Sequence, residues 1–105
     1  MNENVVLAGA DQDLFGHYCR LEDRREGAGA MFDEALHEQL ELLRLHPFMG
    51  PIYPPAAPIR RRVVLEWDVG IYYSVEGRRN VIHAVLHLRQ DSTSIRSILR
   101  SRLPQ

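Results

Sequence analysis

Lysine is absent from this 105-residue chain; all thirteen of its basic side chains are arginine. Cysteine occurs once, at Cys19, so no internal disulfide forms and a reducing cytoplasm is the expected setting. No apolar run approaches the roughly 20 residues that a membrane span requires. The start, Met1-Asn2-Glu3-Asn4, lacks the basic and apolar stretches of a secretory signal. No glycine-rich phosphate loop, nucleophile elbow or paired-cysteine motif appears, and no carboxylate pair stands out as acid and base. No cofactor is therefore expected. With a net charge of −1 the chain also lacks the strongly basic footprint of a general nucleic-acid binder.

The near-neutral total hides a polarity. Residues 1–50 carry ten acids and four arginines (−6), and residues 51–105 carry four acids and nine arginines (+5). The basic half is the expected face for an acidic partner, because guanidinium pairs in bidentate fashion with carboxylate or phosphate.

The length suits one domain, residues 1–105, with a single core. Val5-Val6-Leu7-Ala8 reads as a short first strand. Asp11 is placed to N-cap a helix running to about Arg25, with Leu14, Tyr18 and Leu21 at helical spacing and Phe15 and Cys19 widening the stripe. A second helix is expected over 28–45, where Phe32, Leu36, Leu40 and Leu43 form a stripe and Pro47 stops it. Five of the six prolines lie between 47 and 58, which predicts a stiff surface connection.

Three strand-like runs follow, Ile59–Trp67, Gly70–Glu76 and Val81–Arg89. Asp68, Gly70, Gly77 and Asn80 break them into an antiparallel meander, since short links join antiparallel neighbours. Alternation puts Ile71, Tyr73 and Val75, and Ile82, Ala84, Leu86 and Leu88, beneath the helices. Tyr72, Ser74, His83, Val85, His87 and Arg89 then fall on an open face, joined by Arg60, Arg62, Val64 and Glu66. Residues 92–103 predict a C-terminal helix with Ile95, Ile98, Leu99 and Leu103 on one side and Arg96, Arg100 and Arg102 largely on the other. Such a helix is too short to stand alone. Its cover is the chain's own sheet, a second copy in a homodimer, or a partner. The expected class is α+β, in the order β-α-α-β-β-β(-α).

His83 and His87 would share a metal on a helix. On a strand their Cα atoms lie roughly 13 Å apart, so no metal site is expected. One enzymatic constellation remains: Arg60, Arg62, Tyr72, His87 and Arg89 on the open face. There arginines hold a phosphate while His87 or Tyr72 moves a proton, as in RNA cleavage by its own 2′-hydroxyl. The alternative is a solvated polar face that meets a partner.

Several motifs together resemble the RelE/ParE superfamily of type II toxin–antitoxin toxins. They are Leu42-Leu43-Arg44-Leu45-His46-Pro47, Gly50, Ile59-Arg60, Gly70-Ile71-Tyr72-Tyr73-Ser74-Val75 and Val81 through His87-Leu88-Arg89-Gln90-Asp91. The resemblance implies a growth-inhibiting cytoplasmic toxin, as in plasmid stabilization systems, neutralised by a cognate antitoxin that wraps the helices and sheet. The superfamily divides by activity. RelE-like members cut messenger RNA on the ribosome, which here implies Arg60, Tyr72, His87 and Arg89 as catalytic residues. ParE-like members poison DNA gyrase by contact, which implies Arg60, Arg62, Tyr72, His83, His87, Arg89, Arg96 and Arg100 as a binding face. The missing lysines, and Gly70 where the ribonuclease branch carries an arginine, favour the ParE-like, non-enzymatic reading.

Overall fold

The computed structural model describes residues 1–103. Strand β1 (Glu3–Val6) leads into the helices α1 (Ala8–Arg24) and α2 (Ala28–Leu45). A proline-rich strap and a 3-10 turn (Pro54–Ala56) then reach β2 (Arg60–Val64), β3 (Val69–Glu76), β4 (Arg79–His87) and α3 (Ser92–Arg102). The sheet order is β1-β4-β3-β2, with β1 parallel to β4 and the other neighbours antiparallel. This is the α+β order expected from the sequence.

Helix α2 has the expected bounds, and Phe32, Leu36 and Leu43 are buried as its stripe requires. Strand β1 sits at 3–6 instead of 5–8. Helix α1 accordingly begins at Ala8, so Asp11 lies in its first turn and caps nothing with its side chain. An acid there still suits the helix dipole. Phe15 is 69% exposed. The buried positions of α1 are Ala10 and His17, with Leu14 and Leu21 packed beside the core. The first long run ends as a strand at Val64. Leu65–Trp67 form a 3-10 turn closed by Asp68 in the left-handed region, φ 56°. At the β3–β4 hairpin, Gly77 takes φ 63°, a value that L side chains rarely adopt.

Two hydrophobic cores lie on opposite faces of the sheet. Between the sheet and the α1–α2 hairpin pack Phe32, Leu36, Leu43, Val64, Val69, Ile71, Tyr73, Ile82 and Val85. On the other face Ile95 and Leu99 of α3 cover Tyr53, Ile59, Tyr72, Ala84 and Leu86. The face expected to be open is therefore covered by the chain's own third helix. Asp91 starts that helix by accepting the Ser94 N–H at 2.7 Å, and this bond lowers the carboxyl's pKa.

Register explains the reassignment. Tyr73 pairs with Ile82 while Tyr72 pairs with Ala84, so His83 is the extra residue of a β-bulge. Beyond it the alternation of β4 flips. Val85 joins the helix-side core, and Ala84 and Leu86 turn to α3. On β2, Arg60 pairs with Tyr73 and Arg62 with Ile71, so the set expected outward faces the helical hairpin instead.

Candidate functional site

Since β4 outruns β1, its edge beyond Ile82 would lie bare; α1 and α3 close it with side chains. Asp13 Oδ2 accepts the Val85 N–H at 2.9 Å, His17 Nε2–H donates to Val85 O at 2.7 Å, and Arg102 donates to His83 O at 3.1 Å. Arg102 and Asp13 form a bidentate ion pair at 2.6 and 2.9 Å, tying α3 to α1. None of these contacts was legible as a motif. His17 alone left a trace, because Ala10, Leu14, His17 and Leu21 fall on one helical stripe.

His17 Nδ1 accepts from Arg20 at 2.7 Å, which fixes the neutral tautomer. Burial holds its pKa below the ordinary value, Val85 O opposes that, and the nearby Arg20 and His87 charges lower it further. The His87 ring meets His17 edge-on at 5.0 Å, and Phe32 meets Trp67 at 5.5 Å. Around them runs an open groove of about 710 Å³ that includes Arg24, Glu66, Trp67, Asp68, His87 and Arg89. Arg89 is 88% exposed and pairs with Asp68 at 3.0 Å.

The expected constellation does not converge. Arg60 donates to Gly50 O at 2.8 Å and stacks over Phe48. Arg62 donates from Nε to Gln39 on α2 at 3.0 Å. Along β3, Arg60 stands opposite Tyr73 and His87 opposite Val69, about 13 Å apart at the strand repeat. Tyr72 lies on the other face, fully buried against Tyr53, and its hydroxyl has no hydrogen-bond partner among the described residues. Burial raises this phenol's pKa, and the Arg61 charge opposes the rise only in part. A proton relay linking Tyr72 to His87 has no path in this arrangement.

His83 is buried too. Its Nε2 lies 2.9 Å from Ser74 Oγ, which donates to Glu76 at 2.9 Å, and burial lowers its pKa. The bulge puts His83 and His87 on opposite faces. Arg96 and Arg100 are exposed on α3. Of the expected residues, His87, Arg89, Arg96 and Arg100 are thus accessible, Arg60 and Arg62 are half-buried, and Tyr72 and His83 are inside.

A second groove, of about 640 Å³, separates α1 from α2 on the outer surface. Leu14, Phe15, Tyr18, Leu36 and Leu40 make it apolar, and Asp11 and Asp33 add acid. Partial desolvation raises the Asp33 pKa. No helix among the described residues is long and apolar enough to cross a membrane.

The fold is similar to a solved chain entitled "Chromosomal ParDE TA system from P. aeruginosa", with a TM-score of 0.62 and 16% identity. That match covers 83% of this chain and 96% of the other. No curated protein matches the sequence. A family model described as "ParE toxin of type II toxin-antitoxin system, parDE" matches residues 6–92. By that match the chain belongs to the ParE toxin family of type II toxin–antitoxin systems.

Proposed function

We propose that this toxin acts by protein contact on DNA gyrase and is neutralised by a cognate antitoxin. The observation that carries the contact reading is the dispersal of the ribonuclease set: Tyr72 is core, and Arg60 and His87 stand at different points along the sheet. Without convergence on one phosphate, those groups have no means of sharing its developing charge. What the surface offers instead is accessible arginine, at Arg89, Arg96 and Arg100, suited to an acidic protein surface. The groove between α1 and α2, apolar with acidic members, suits an amphipathic segment of the antitoxin.

Expression of the toxin alone arrests growth with DNA-damage signalling and little fall in translation, and the purified protein inhibits supercoiling by gyrase. Gyrase supercoiling unaffected by excess toxin defeats the proposed target. The ribonuclease alternative is tested at accessible positions: His87→Ala with Arg89→Ala leaves toxicity intact under the contact reading through other surface residues, whereas messenger RNA cleavage lost with toxicity restores the enzymatic reading.

A further inference from the structure

Strand β2 is the outermost strand on its side of the four-stranded sheet. The proline-rich strap occupies only the beginning of its outer edge. Tyr53 N–H donates to Ile59 O at 2.8 Å, and Arg61 N–H donates to Pro51 O at 3.0 Å. Peptide groups of alternate residues in a strand face the same side. Arg61 O, Val63 N–H and Val63 O therefore point outward with the bonded Arg61 N–H. None of the three has a hydrogen-bond partner among the described residues. Val63 is half-buried and Leu65, just beyond the strand, is 78% exposed, so apolar surface continues from this edge.

The side chains beside the bare edge are arginines. Arg61 stacks over Tyr53 at 4.8 Å, and Arg62 bonds Gln39 through Nε. An added strand would place its own side chains against these two, where an acid is favourable and a base repelled. The run Arg60-Arg61-Arg62 likewise disfavours pairing of two β2 edges, which sets like charge against like. A second copy is thus a poor occupant.

We propose that this edge docks an extended acidic segment of the antitoxin as a fifth strand, with apolar side chains over Val63 and Leu65. The inference rests on the antitoxin reading above and specifies where and how the partner is held. Backbone pairing supplies the hold, and Arg61 and Arg62 supply the charge preference.

The first probe is the peptide acetyl-Glu-Val-Glu-Val-Glu-Val-amide, titrated into isotope-labelled full-length toxin. The Val63 amide resonance shifts and its hydrogen exchange slows at least fivefold. A peptide N-methylated at alternate residues binds about tenfold more weakly, and so does one with lysine in place of glutamate. Val63→Pro, tolerated on an outer edge, removes the N–H and weakens the acidic peptide by a similar factor while the circular dichroism spectrum is retained. An unmoved Val63 amide, or equal binding of the N-methylated peptide, overturns the inference. A growth assay with the product of the neighbouring reading frame separates the two claims. Rescue of wild type with undiminished affinity for Val63→Pro overturns strand addition and spares the antitoxin reading. Failure to rescue wild type removes the antitoxin reading and the proposed occupant with it.

Discussion

Truncating Asp13 to alanine tests whether α3 is locked onto the sheet. The carboxylate is 14% exposed and Arg102 is 25% exposed; it makes two bonds to Arg102 and accepts one from Val85 N–H. Its removal strands a backbone donor, which costs about 1–3 kcal/mol. It also leaves a guanidinium without its counter-charge, a loss of about 3–5 kcal/mol when burial is complete and less here. Solvent reaching Arg102 and its remaining bond to His83 O bring the expected total to about 3 kcal/mol. For a domain of this size that lowers the melting temperature by roughly 10–15 °C. Urea denaturation provides the assay, with the slope unchanged and the midpoint reduced. A double-mutant cycle with Arg102→Ala should give about 1.5 kcal/mol of coupling. Additivity of the two substitutions, or a loss below about 1 kcal/mol for Asp13→Ala, refutes the reasoning.

Tyr72→Phe deletes a buried hydroxyl that lacks a partner, so stability stays level or rises by about 1 kcal/mol and toxicity persists. Loss of toxicity in a folded Tyr72→Phe protein contradicts the contact reading. Gly29→Ala places a Cβ 2.8 Å from the Tyr18 carbonyl oxygen where α1 and α2 meet, and denaturant unfolding should register about 1–3 kcal/mol of destabilisation. His17 and His83 both have folded pKa values below the model value of 6.5, so the unfolded chain binds more protons in that region. Their contribution is present above about pH 6.5 and is lost as pH falls through the unfolded value toward the depressed folded ones. The melting temperature should fall between pH 7 and pH 5, with a shallower slope in His17→Gln and His83→Gln; equal slopes refute the assignment.

Local chemistry was enough to place most elements. Apolar spacing in α2, the proline after it, and β-branched runs broken by glycine and asparagine are signals carried within short windows, and they located both long helices and the meander. The family resemblance lay in those same stretches and was borne out by the match over residues 6–92. The strand faces were not legible in this way. Alternation from Ile82 predicted Leu86 under the helices, but a bulge at His83 reversed every later side chain. Nothing near His83 in sequence announces it; the bulge is held by Asp13, His17 and Arg102, distant along the chain.

The sequence by itself determined the kinds of element, their order and the basic character of the second half, since backbone preference and charge are properties of neighbouring residues. Only the tertiary structure decided that α3 covers the second face of the sheet, burying Tyr72 and separating it from His87. It alone decided that β2 keeps a bare outer edge. Those outcomes depend on register and on long-range hydrogen bonds, whose partners meet only after the chain has folded.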